Sequence, residues 1–328
     1  MEFGFFIPQG WRLDLVGIAP AQQWDVMNGL AQYADDGGWD SLWVYDHFHT
    51  VPVPSSEATH EAWSLMAAYA ASTSRIKLGQ MCTAMSYRNP VYLAKVAATV
   101  DIISGGRAQM GIGGGWYEHE WRAYGYGFPS AGVRLGRLDE GVQIMRDAWR
   151  DSVVTFDGKH YQVDGAIVQP KPLQDGGIPL WVAGGGEQKT LRIAAKYANY
   201  TNYSPQLDEF ERKSEILAQH CREVGTDYDA IVRSVNLTAV LGDSEADVKA
   251  RLGRIRDRMV PFVGEQGADA MTSAASNDAA TGTPDKVIES LRALRDLGCE
   301  YTILYFPEAA YDRSGIELFE KEVIPALA

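Results

Sequence analysis

Cysteine is scarce in this chain. Only Cys82, Cys221 and Cys299 occur in 328 residues, and they stand far apart. Their odd number and low density exclude a disulfide framework, and no CxxC or Cys/His cluster forms a zinc signature. Reduced thiols in the cytoplasm are expected, and no metal. Long apolar runs are missing too: none approaches the roughly 18 residues that a membrane helix needs. The first residues, MEFGFFIPQG, lack the basic, apolar and small-residue layout of a signal peptide and read as a first strand. Basic charge is in deficit. Lys plus Arg number 30 against 43 Asp plus Glu, a net charge of −13 with pI near 4.9. A nucleic-acid binder would carry a basic face, so that class is set aside. An anionic ligand would need backbone donors or a few local cations working against the global field.

What the chain does have is 46% hydrophobic and 22% charged residues, a globular balance. Strand-like and helix-like runs alternate along its length. Strands are expected at 2–7, 41–45, 76–83, 107–112, 179–183, 199–203, 231–241 and 300–306. Helices are expected at 24–36, 61–72, 90–103, 188–196, 208–224, 284–297 and 315–327. Asn89-Pro90 is a cap followed by a first-turn proline. Eight βα units of this length fit a single α/β domain, a (β/α)8 TIM barrel, over residues 1–328. Two stretches exceed the repeat and read as insertions. Residues 117–178 hold a helix at 137–150 and a hairpin around Asp157-Gly158, and residues 242–282 hold a charged helix at 244–259 and a mobile segment at 267–282.

In such a barrel the residues just after each strand form the catalytic face. The second strand runs directly into Asp46-His47. A carboxylate beside an imidazole can handle protons near neutral pH; the competing reading is a capping Asp beside a surface His. GIGGGWYEHE, residues 111–120, follows the fourth strand. Its glycines Gly113, Gly114 and Gly115 let backbone approach a flat or anionic ligand, or simply turn tightly. Trp116 stands where a dinucleotide fingerprint would have its last glycine. Glu118 is either an acid/base residue or a first-turn helix charge. VAGGGEQKTL, residues 182–191, leads Ala183, Gly184, Gly185 and Gly186 into a helix start, where free N–H groups favour phosphate. It is not a Walker A loop, since Gln188 replaces the required glycine.

Taken together, YDHF, MCTAMSYRNP, MGIGGGWYEHEWRAYGYGFP, PLWVAGGGEQKTLRIAAKYAN and GTPDKVIESLRALRDLGCEYTILYFP resemble the luciferase-like monooxygenase superfamily, and within it the coenzyme F420-dependent oxidoreductases. The likeness covers nearly the whole chain in order. It implies a barrel that binds the deazaflavin F420, or in other branches FMN, at its mouth. It implies Asp46 and His47 beside the ring, with His47 near the reactive carbon. It implies a non-proline cis peptide at Met81–Cys82 behind the ring, with Thr83 alongside. Gly113, Gly114, Gly115 and Trp116 would flank the cofactor's side chain. Ala183 and Gly184–Gly186 would hold its phosphate, and Asn202 would add a contact. Where sugar-phosphate dehydrogenases of this family carry a glutamate after the glycine loop, this chain has Trp116, which argues against glucose-6-phosphate. The proton donor is then His47, Glu118 or Tyr117. The expected reaction is hydride transfer between F420 and a small organic substrate with a C=C, C=N or carbonyl/alcohol group. The alternatives are an FMN-dependent monooxygenase using O2 and a non-catalytic flavin-binding protein. A homodimer is expected, and the loops at 10–20, 48–60 and 260–282 are expected to shape the substrate cavity.

Overall fold

The computed structural model describes all 328 residues. Its main strands are β1 (Glu2–Phe6), β2 (Ser41–Val44), β3 (Lys77–Gln80), β4 (Ala108–Gly113), β5 (Leu180–Ala183), β6 (Tyr200–Tyr203), β7 (Val232–Thr238) and β8 (Tyr301–Tyr305). β2, β4 and β8 are buried at every residue, as strands covered on both faces must be. The sheet runs β3-β2-β1-β8-β7-β6-β5-β4, and β4 also pairs with β3, so sheet order repeats chain order around a ring. That is the (β/α)8 barrel.

Two sets of residues form units by their internal packing: 1–61, 204–211 and 233–328 in one, 62–203 and 212–232 in the other. In the first unit β1 lies between β8 (Glu2↔Tyr301 to Phe5↔Leu304) and β2 (Gly4↔Ser41 to Phe6↔Trp43), and β7 flanks β8 (Ser234↔Tyr301 to Thr238↔Tyr305). Gly4 has no room for a side chain, because the Ser41 hydroxyl and the Trp43 indole fill that space. Ser41 accepts from Trp43 Nε1 at 2.5 Å and meets the Tyr301 hydroxyl at 2.6 Å. Outside the strands, Trp39 packs edge-on to Phe5 (4.9 Å) and stacks on Phe319 (5.5 Å). The Met1 ammonium donates to the Leu327 carbonyl at 3.1 Å.

One expectation fails in this unit. Residues 267–276 are helical, not a mobile loop, because one helix spans Glu245–Ser276 with Pro261 inside it and a break at Gly264 (φ 69°). Composition misled here: Ala, Ser and Asp suit loops and helices alike. Met259 and Ala268, from the two sides of the break, enclose Leu13 in an apolar cluster with Val16, Phe262 and Met271.

In the second unit β4 pairs with β3 and β5, and β5 with β6. Thr83–Ala84 continues past β3 beside Ile112 and Gly113. The helix Pro90–Ser104 starts as expected, with the Asn89 side-chain Oδ1 accepting from Val91 N (2.9 Å) and Tyr92 N (3.3 Å), and ends at Gly105 (φ 70°). The helix after the fourth strand is longer than its apolar pattern suggested, Ala131–Arg150, capped by Ser130. The hairpin pairs Val154–Asp157 with Gln162–Ala166. Its turn is tied to that helix through Glu140, which accepts from the backbone N–H groups of Lys159, His160 and Tyr161 at 2.8–3.0 Å. No helix is long and apolar enough to cross a membrane.

Candidate active site

In the first unit the segments after β1, β2 and β8 lie at carboxyl strand ends, the edge on which barrel enzymes build their sites. Gln9 is fully buried and clamps the backbone: its amide donates to the carbonyls of Tyr45 (2.8 Å) and His60 (3.0 Å) and its oxygen accepts from Tyr45 N. Gly10 follows at φ 95°, where a β-carbon would collide with the Ala58 carbonyl. Only glycine suits both demands. The chain then turns: Gly10 N donates to Asp14 Oδ1 (2.7 Å), Leu13 N to the Gly10 carbonyl (2.9 Å), and Val51 N to the Trp11 carbonyl (2.8 Å). Leu13 is the chain's one non-glycine residue at positive φ, 57°, and its side chain is held in the apolar cluster described above.

The turn aligns a stack of rings. His47 lies parallel to the Trp11 indole at 4.0 Å with 1° between planes. Trp11 leans on Tyr45 at 4.3 Å, and Tyr45 stacks on Phe6 at 4.1 Å. Asp46 is buried and His47 half-buried. The Arg12 guanidinium carbon sits 4.4 Å from the Tyr305 ring centre, 5.1 Å from Trp11 and 5.2 Å from Tyr45. Burial pushes the Asp14 carboxyl up to about 6, against the pull of its Gly10 hydrogen bond and of the Arg12 charge. The Tyr45 and Tyr305 hydroxyls are raised by burial as well.

In the second unit predicted residues lie at four strand ends. The Met81–Cys82 peptide bond is cis, at the bond where the resemblance put one. The Cys82 thiol lies over Gly113, where a β-carbon would come within 2.7 Å of the sulfur. Thr83, buried, donates to Gln80 Oε1 at 2.7 Å. Ala183 pairs with Asn202, and Gly184 N donates to the Asn202 carbonyl at 2.9 Å. The run Gly184–Gly186 then crosses to the helix Thr190–Tyr197. A β-carbon on Gly185 would meet Lys213 Nζ at 2.5 Å, and one on Gly186 would meet Thr190 Oγ1 at 2.7 Å. A bare backbone strip thus runs beneath an ammonium and a hydroxyl, a donor set suited to phosphate.

Other predicted residues stand apart. Trp116 is 61% exposed and stacks on Tyr117. Glu118 is exposed, sits in the first turn of the helix Glu118–Ala123, and pairs with Arg122 at 2.7 Å, the helix-charge arrangement. Its neighbour Glu120 is the buried carboxylate, accepting from the Tyr87 hydroxyl at 3.2 Å. No group of three or more His, Cys, Asp or Glu side chains could hold a metal ion, and the three cysteines are free. Sequence reasoning missed Lys213, which lies in a helix without a motif. It also missed Arg12 and Asp14, whose only sign was a position just after the first strand.

Comparison with known proteins agrees with the fold. The luciferase-like monooxygenase family model matches residues 1–301, so the chain belongs to that family and is one of its enzymes. The F420-dependent glucose-6-phosphate dehydrogenase of Nocardia farcinica (strain IFM 10152) is 27% identical over 329 residues, covering 91% of this chain and 92% of the relative. An F420-dependent secondary alcohol dehydrogenase, solved in complex with an F420–acetone adduct, superimposes with TM-score 0.80 at 22% identity, covering 100% of this chain and 99% of that one. A monooxygenase from Streptomyces bottropensis does so with TM-score 0.82 at 20% identity over the full length of both chains.

Proposed function

We propose that this enzyme is an F420-dependent oxidoreductase that transfers a hydride between the deazaflavin and a small organic substrate bearing a C=C, C=N or carbonyl/alcohol group. Membership of the luciferase-like family and the curated relatives' names support the cofactor class. The observation that carries the reading is the glycine cradle: the bare backbone of Gly185 and Gly186 admits Lys213 Nζ and Thr190 Oγ1 at a closeness that β-carbons would block. These residues would hold the cofactor's phosphate, while Cys82, Gly113 and Asn202 would line its ring and side chain. When bound, F420 supplies the hydride chemistry that no side chain can. The chain's own part is proton handling and positioning. His47 is fixed face to face with Trp11 and follows a buried Asp46, so its ring can give or take the proton that accompanies the hydride. Glucose 6-phosphate is not the proposed substrate: the position after Gly115 carries the exposed Trp116, not a carboxylate.

The test is a fluorescence titration with F420 and with FMN, followed by turnover and oxygen electrodes. F420 should bind and support turnover of an enone, imine or alcohol panel without oxygen uptake. His47→Ala should lower turnover by about 100-fold or more while changing F420 affinity only a few-fold. Binding of FMN alone, with oxygen consumption, would make the enzyme a flavin monooxygenase instead. Binding of either cofactor with no turnover across the panel would favour a binding protein.

A further inference from the structure

We propose that Arg12, set among Trp11, Tyr45 and Tyr305, seats a carboxylate of the substrate next to His47, so that the enzyme acts on small organic acids. The word substrate rests on the functional reading above; the anion site itself stands on the first unit alone.

The Arg12 guanidinium carbon lies within 4.4–5.2 Å of three ring centres. Its buried Nε has no hydrogen-bond partner. The same holds for Trp11 Nε1, the Tyr45 hydroxyl, Arg258 Nε and Asp14 Oδ2. Tyr45 is 3% exposed, Trp11 6% and Asp14 2%. Each buried orphan costs about 1–3 kcal/mol in ordinary core, so five in one place mark a built site, not careless packing. Four of the five can donate, which calls for an acceptor-rich ligand.

The site's shape selects the kind of anion. Arg12 and Arg258 act on Asp14, and Arg12 also acts on Asp278. Asp14 and Asp278 offset the two arginines, so charge alone does not choose between a carboxylate and a phosphate. A planar fork matches a planar carboxylate, and the aromatic walls suit the apolar body attached to it. The Arg12 side chain is also well placed. Gly10, Leu13 and the Val51 hydrogen bond to the Trp11 carbonyl fix the turn on either side of it. Trp11 touches both Arg12 and His47, so an acid gripped at Arg12 has its reactive carbons beside the imidazole.

Isothermal titration with cinnamate and with its neutral amide, cinnamamide, tests this on the protein with and without F420. Cinnamate should bind wild type at least about ten-fold more tightly than the amide. Arg12→Gln should abolish that preference and leave F420 binding unchanged. Tyr45→Phe keeps the ring beside Arg12 but removes one orphan, and should weaken cinnamate several-fold. It serves as the second variant if Arg12→Gln does not fold. Asp14, acted on by Arg12 and Arg258 with Tyr45, Tyr305 and Tyr311 in its field, loses its charge as pH falls below about 6. Cinnamate binding should therefore tighten from pH 7 to pH 5. Equal binding of acid and amide, no binding of cinnamate, or an unchanged preference in Arg12→Gln would each overturn the proposal. Inorganic phosphate competing more strongly than acetate would overturn the carboxylate assignment. A wild type that prefers cinnamate but binds no F420 would leave the anion site standing and remove the functional reading instead.

Discussion

Asp14 shows how one buried side chain ties the site to stability. Its native carboxyl is raised to about 6 from an ordinary 3.8. Between those values the folded chain keeps a proton that the unfolded chain releases, so stability falls as pH rises through that window. The loss complete at pH 7 is up to about 3 kcal/mol. Urea melts of Asp14→Asn and wild type should coincide near pH 4, with the variant more stable at pH 7. Curves that stay parallel across the range would mean that the carboxyl is not perturbed. The strand-end positions of Asp46, His47 and the two glycine runs were legible in the sequence, and the cis bond at Met81–Cys82 was expected from the family resemblance alone. Arg12 and Asp14 were not. Their character comes from Tyr45 and Tyr305, far away in the chain and brought close only by the turn at Gly10.

At the scale of elements, the long helix Glu245–Ser276 is fastened to the segment after β8 by Arg251. This buried guanidinium donates to Asp247 (3.0 Å) and Ser314 (2.7 Å) and pairs with Glu308 at 3.5 Å. Glu308 is itself buried, so removing this cation leaves its charge to the more exposed Arg254 alone. Arg251→Ala should cost about 3 kcal/mol or more in a denaturant melt. A loss below 1 kcal/mol would show that Arg254, 3.0 Å from Glu308, is sufficient. Most strands and the helix Pro90–Ser104 could be read from period and caps, since Asn89-Pro90 and Gly105 state its ends locally. The run 267–276 could not, because its helicity comes from Ala268 and Met271 packing around Leu13, a contact that composition does not record.

At the scale of the whole molecule, the net charge of −13 opposes every anionic ligand that the site attracts. Screening weakens that long-range repulsion, while short contacts such as those offered by Arg12 and Lys213 are less affected. The association rate of F420 should therefore rise as salt goes from about 0.01 M to about 0.15 M, the Debye length falling from about 30 to about 8 Å. Stopped-flow mixing would show this; a rate that falls with salt would mean that local cations dominate the approach.

The register of β1 has one further consequence. Its Glu2–Phe5 stretch pairs with Tyr301–Leu304, nearly the whole length of the chain away. During synthesis β1 can meet β2 early, but its other edge, which pairs with Tyr301–Leu304, has no partner until the last strand is made. That open edge closes only when the last strand arrives, so the sheet cannot be completed before nearly the whole chain has emerged.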